Sequence, residues 1–231
     1  GRTAVRRTRW GARPRAALHS RPVASAPPDS DTADGGPGAL AVLVPVKAFT
    51  AAKLRLAPAL GPAERADLAR SMATRVLAAA GDLPVAVVCD DADVAAWAVA
   101  HGARVLWRPG RGLNGAVTDG VAALAASGFA TAIVAHADLP HAVDLDWVGR
   151  TEGVTIVPDR REDGTNVIAV PTRAGFTFAY GPGSFARHVA EAERLGLPLR
   201  VVREPTLGWD VDVPADLVAP DWAPTRCAPT R

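Results

Sequence analysis

A chain of 231 residues with 26 Lys and Arg against 24 Asp and Glu, a formal net charge of +2, is long enough for one α/β domain with a real core. Arginines crowd residues 1–38, and with that stretch set aside the remainder is slightly acidic, which excludes a nucleic-acid-coating domain. Two cysteines, Cys89 and Cys227, exclude a disulfide framework and a cysteine-based zinc site and fit a reducing cytoplasm, while no apolar run approaches the roughly 18 residues that a bilayer span needs.

Residues 1–38, rich in Arg, Ala, Pro and Ser without periodicity, read as a disordered extension, with a basic RNA-contacting arm as the alternative. Their basic start is followed by no apolar segment, so no secretory signal is expected. A short apolar run over 39–46 predicts a buried strand. It releases Lys47, Lys53 and Arg55 into a loop, which suits either a polyphosphate site or a merely solvated basic loop. A helix is expected over 62–80, opened by Pro62 with Glu64 and Asp67 near its start. A strand over 85–90, a helix over 92–101 and a short strand over 104–107 follow. Gly112-Leu113-Asn114-Gly115 then precedes a helix over 115–126, either as a loop whose backbone approaches a ligand or as a plain cap by Asn114. A strand over 131–136 runs into Ala137-Asp138-Leu139-Pro140, placing Asp138 at a strand's C-terminal end. There a single carboxylate suits Mg²⁺, or simply satisfies the turn. His136 and His141 flank it without the spacing of a zinc site.

Beyond residue 150 strands are expected over 154–158, 167–170, 176–180 and 199–202, with a helix from Ser184, as N-cap, to 195. Asp163-Gly164-Thr165-Asn166 pairs a turn with two hydrogen-bonding side chains. Tyr180-Gly181-Pro182-Gly183-Ser184-Phe185 is a Gly-rich turn running into a helix start, which offers either an anion site or an ordinary cap, and His188 lies one turn further on. Asp210 and Asp212, at i and i+2, share a side if the segment is extended, and would then need a cation or a basic partner between them; capping of a short terminal helix by Asp212 or Asp216 is the structural alternative. Alternation of strands and helices points to an α/β fold with a mostly parallel central sheet covered on both faces, a single domain over 39–219 and a disordered tail over 220–231.

Taken in register, P-V-K, A-K-x-R-L-A, G-L-N, A-D-L-P, D-G-T-N, G-P-G-S-F-x-x-H and W-D-V-D-x-P-x-D-L closely resemble the guanylyltransferase family that activates 2-phospho-L-lactate or phosphoenolpyruvate in biosynthesis of the deazaflavin coenzyme F(420). The likeness runs from about residue 41 to 217. It departs at Leu54, where a small polar residue is common, at Tyr180, where Phe is frequent, and at Trp209, where an aliphatic residue is usual.

The resemblance implies a single Rossmann-like domain of the GT-A nucleotidyltransferase type that transfers GMP from GTP to a small phosphorylated carboxylic acid and releases diphosphate. It implies that Lys47, Lys53 and Arg55 face the GTP phosphates as the catalytic cations, that Asn114 lies near the nucleotide, and that Thr165, Gly181 and Ser184 bind the acceptor. Asp138, Asp210 and Asp212 would hold Mg²⁺, and the product would pass to the downstream deazaflavin transferase, with no nucleic acid or membrane as partner. Two competing expectations remain: a related nucleotidyltransferase of the molybdenum-cofactor or methylerythritol-pathway type, and a nucleotide-binding module without catalysis. Against the first, Lys47 to Arg55 stand where a Gly-Gly-x-Ser-x-Arg phosphate loop is expected.

Overall fold

The structure, a computed structural model, describes residues 38–218. All but the last residue of the expected extension, and the whole expected tail with Cys227, lie outside them. Twelve regular elements follow in chain order: β1 (Leu40–Pro45), α1 (Pro62–Ala79), β2 (Val85–Cys89), α2 (Ala92–Ala100), β3 (Arg104–Trp107), α3 (Gly112–Ala126), β4 (Thr131–Ala135), β5 (Val154–Pro158), β6 (Thr165–Pro171), α4 (Ser184–Arg194), β7 (Leu199–Val201) and the short α5 (Pro205–Gly208). They build one seven-stranded sheet in the order β3-β2-β1-β4-β6-β5-β7. β1 pairs in parallel with β2 and β4, and β5 with β7, while β6 runs antiparallel to both its neighbours. No helix among the described residues is long and apolar enough to cross a membrane.

Period-two alternation in β1 sends Val42, Val44 and Val46 to one face and Ala41 and Leu43 to the other. On the first face they meet Ala73, Val76 and Leu77 of α1 and Val94 and Ala98 of α2. On the second they meet Val117, Val121 and Leu124 of α3 and Ala192 of α4. A mostly parallel sheet covered on both faces follows because its core strands are apolar on both sides. α3 lies tight on β1 because of Gly120, where an added Cβ would come within 2.6 Å of Leu43 Cδ2. The chain leaves β1 for β2 and β3 on one side and returns to β4 on the other. The C-terminal ends of β1 and β4 therefore border a topological switch point, the crevice where open α/β sheets bind ligands.

Several elements differ from the sequence expectation. The segment 176–180, with Phe176, Phe178 and Tyr180 alternating, is no strand. Its N–H groups are taken by side chains: Thr177 donates to Glu191 Oε1 (2.9 Å), Ala179 to His188 Nε2 (3.0 Å) and Tyr180 to Asn114 Oδ1 (2.7 Å). α3 begins at Gly112, so Asn114 lies inside the first turn and is not the cap. The N-cap of α4 is Gly183, in the left-handed region at φ 72°, and Ser184 is the first helical residue. β6 starts at Thr165 because the ladder to β5 steps from Val157↔Val167 to Pro158↔Thr165, which leaves Asn166 as the extra residue of a β-bulge. The short α5 was not expected; Glu204 caps it, accepting from Leu207 N–H at 2.8 Å.

Candidate active site

Two apolar anchors hold the basic loop at the switch point. Phe49 is buried edge-on against Trp97, ring centroids 5.3 Å apart, and Leu56 is fully buried in a satellite cluster with Met72 and Val211. Between the anchors Lys53 adopts a left-handed conformation (φ 56°), which only a few per cent of non-Gly residues do. That backbone turns its side chain inward: Lys53 Nζ lies 2.6 Å from Asp138 Oδ2 and 3.1 Å from Asp212 Oδ1. Burial works to lower the Lys53 pKa, but the two carboxylates outweigh it and raise it, so the ammonium stays charged. Arg55 reaches the same Asp212 from solvent at 4.0 Å.

A cleft of about 520 Å³ opens here, and Lys47, Lys53, Arg55, Asp138, Gly181 and Asp212 all line it. The sequence scattered these residues over more than 160 positions; the sheet edge brings them together. Asn114, Thr165, Ser184 and Asp210 do not line it. Asn114 instead ties the first turn of α3 to the Gly181 turn through Tyr180 N–H. The expected anion site at the start of α4 is already engaged: Gly183 N–H donates to Asp163 Oδ1 (3.0 Å), Phe185 N–H to Asp163 O (3.1 Å) and Ser184 N–H to Gly181 O (3.0 Å). Arg187 clamps the same turn by donating to the carbonyls of Ala179 (2.8 Å) and Pro182 (2.7 Å). The Gly181 turn is thus held by Asn114, Asp163 and Arg187 before any ligand arrives.

Asp210 and Asp212 have different partners. Asp212 faces Lys53, whereas Asp210 is buried and paired with Arg160 (3.4 Å), whose guanidinium lies 4.0 Å above the Trp209 ring. The capping role weighed for Asp212 or Asp216 falls to Asp216, which accepts from Asp212 N–H (2.8 Å) and Val213 N–H (2.9 Å).

Among the described residues no group of three or more His, Cys, Asp and Glu side chains is arranged to hold a metal ion. Mg²⁺ needs only one or two protein carboxylates, with phosphate oxygens and water completing its shell, and two observations fit such an ion. Asp138 Oδ1 is buried with no hydrogen-bond partner. Asp210 is pushed up to about 6, first by burial and then by the Asp138 carboxylate. These are crowded carboxylates with capacity left for a further cation. Burial also acts to raise Asp138, yet the Lys53 ammonium beside it holds it below the usual carboxylate value.

His136, passed over because its spacing suits no zinc site, lines the cleft beside Asp138. Its Nε2 is buried without a partner, its ring lies 5.0 Å from that of Tyr180, and burial pushes its pKa down, so it is neutral. Arg160 gave no signal in the sequence either. The alternating acidic residues at 210, 212 and 216 could have called for more than one basic partner.

The family model described as "Guanylyl transferase CofC like" matches residues 40–219. A phosphoenolpyruvate guanylyltransferase of Sphaerobacter thermophilus is 37% identical over 190 residues, 76% of this chain and 89% of that protein. One of Roseiflexus castenholzii is 39% identical over 184 residues, 78% of this chain and 86% of its own. Among solved structures, a Desulfovibrio desulfuricans protein assigned as a nucleotide-diphospho-sugar transferase superposes with a TM-score of 0.63 at 18% identity, covering 77% of this chain and 84% of that one. At that identity it supports the α/β architecture alone.

Proposed function

The chain belongs to the CofC-like guanylyl transferase family and is a nucleotidyltransferase, and on that premise we propose that it transfers GMP from GTP to phosphoenolpyruvate, with 2-phospho-L-lactate as the alternative acceptor, in coenzyme F(420) biosynthesis. The names of the two relatives favour phosphoenolpyruvate. The single observation that carries the reading is the Lys53 ammonium, pinned between Asp138 and Asp212 at the sheet's switch point and facing the Gly181 turn across one cleft.

An oxygen of the acceptor's phosphate attacks the α-phosphorus of GTP. The bond from that phosphorus to the bridging oxygen breaks, and diphosphate leaves. The attacking oxygen is already ionised at neutral pH, so a general base has little to do. The obstacle is that two polyanions must meet in line. Lys47, Lys53 and Arg55 neutralise the triphosphate, and Lys53, held by two carboxylates, does so without a search through rotamers. The turn carrying Gly181, locked by Asn114, Asp163 and Arg187, offers the acceptor a preset surface with Thr165 and Ser184 beside it. Asp138, joined by Asp210 or Asp212, holds Mg²⁺, which when bound adds charge neutralisation on the phosphates. The protein works in the cytoplasm and hands its labile product to the deazaflavin transferase, with neither nucleic acid nor membrane as partner.

The test is a coupled assay with GTP, Mg²⁺, each acceptor in turn and the downstream transferase. Coenzyme precursor formed with phosphoenolpyruvate supports the reading, and precursor formed only with 2-phospho-L-lactate moves the acceptor. Tight GTP binding without turnover on either would leave a non-catalytic module.

A further inference from the structure

Thr165 and His188 are both buried, 1% and 0% exposed, and lie 23 residues apart in the chain. The bulge at Asn166 makes them meet. Along β6 Val167 and Ala169 enter the core layer of α1 and α2, while Ile168 and Val170 enter the layer of α3 and α4. Unbroken alternation would turn Thr165 to the Val167 side. The extra residue reverses this: the Asn166 carboxamide goes to Leu207 O (2.9 Å), and the Thr165 hydroxyl turns to His188 of α4.

Both nitrogens of the His188 ring are engaged, and one of the bonds settles the proton. Ala179 N–H, a donor only, points at Nε2 from 3.0 Å, so Nε2 carries no proton and accepts. A neutral ring must then carry its proton on Nδ1, which lies 3.0 Å from Thr165 Oγ1. Burial holds His188 well down, at about 4, so the ring is neutral at working pH. Nδ1–H donates to Thr165, and this uses the hydroxyl as an acceptor. Its own hydrogen remains to be given away.

We propose that His188 is a positioning residue: its Nδ1–H on Thr165 takes one lone pair of that hydroxyl and turns the hydroxyl hydrogen away from the ring, toward an anionic oxygen of the acceptor. The proposal rests on the reading above that Thr165 belongs to the acceptor subsite. A hydroxyl free to rotate spreads its hydrogen over several directions; one whose hydrogen is aimed away from His188 presents a ready donor, which suits a carboxylate or a phosphate. The same His188 ring holds Ala179 N–H, two residues before Gly181, so donor and turn are set by one side chain.

The tautomer is read directly in the wild-type protein by two-bond ¹H–¹⁵N correlation of the His188 ring at neutral pH, which needs no variant to fold. Protonated Nδ1 with bare Nε2 is expected; a proton on Nε2 overturns the proposal. Kinetics supply the second arm. Thr165→Val and His188→Leu are each expected to raise the KM for phosphoenolpyruvate roughly 10- to 100-fold, the size of one hydrogen bond to a charged group, with the KM for GTP unmoved. Thr165→Ser is expected to restore it, and His188→Gln, which keeps one donor and one acceptor, to restore part of it. Variants that melt earlier yet keep the acceptor KM of the wild type would reduce His188 to packing and sink the idea. If the wild type transfers GMP to neither acceptor, the underlying reading fails and the proposal goes with it, whatever the tautomer.

Discussion

Asp138 and Asp216 are both carboxylates drawn into ion pairs around the segment that closes the fold, and they differ in what is left unused. Asp216, its side chain 1% exposed, accepts from the guanidinium groups of Arg160 and Arg161 and from the N–H groups of Asp212 and Val213. Burial would raise its pKa, but those N–H groups and Arg160 hold it below the usual value. Asp138, 20% exposed, spends one oxygen on Lys53 and keeps the other buried and bare. A fully satisfied polar network fixes a segment in place, whereas a half-satisfied one costs stability and persists where function uses the spare capacity. Asp216 thus fastens the closing segment, and Asp138 waits at the cleft.

The strongest way to break this comparison is Asp138→Asn. It should lower turnover by about 10³-fold, the scale of losing a principal electrostatic group, while circular dichroism and the melting temperature stay near wild type. Wild-type rates would end the metal assignment. Asp216→Ala should do the opposite. A loss of about 3 kcal/mol in urea unfolding is expected, because two arginines and two N–H groups lose their acceptor together. Since the Asp216 pKa is depressed on folding, its contribution is complete above the unfolded value near 4 and disappears as the pH falls below it.

Asp210 sharpens the contrast from the other side. Its carboxyl is pushed up to about 6, so the folded state pays for its ionisation: stability falls as the pH rises from about 4, the unfolded value, to about 6. Asp210→Asn should therefore raise stability by about 1 kcal/mol at pH 8, have little effect at pH 4, and lower turnover. A gain that is flat across pH would mean the effect is not electrostatic. The smallest effect belongs to Arg55→Ala. That side chain is 76% exposed and stands 4.0 Å from Asp212, so stability should move by less than about 0.5 kcal/mol, while the KM for GTP rises a few-fold. A large loss of stability would make the pair part of the fastening network after all.

Much of the architecture was legible along the chain, because a buried strand and an amphipathic helix each announce themselves by period. The strands around Leu43, Val87 and Ile133 and the helices facing them were placed to within a residue or two, apart from the earlier start of α3. The same reasoning failed at Phe176–Tyr180, where a period of two came from packing on α4 and not from a ladder. There the N–H groups found Glu191, His188 and Asn114 as partners. Of the candidate site, the residue types and the order Lys53, Asp138, Asp212 were evident from the motifs, since cations and carboxylates at strand ends are local signals.

Which of them touch was not. By itself the sequence determined that strands alternate with helices, which of their faces are apolar, and which charged residues stand at the strand ends. Periodicity and turn chemistry act over a few residues and can be read there. Only the tertiary structure decided that Lys53 sits between Asp138 and Asp212, that Asp210 turns away to Arg160, and that the Asn166 bulge aims Thr165 at His188. Those pairings span 23 to 159 positions and depend on sheet order and on a shift of one residue in register, for which a linear pattern carries no mark.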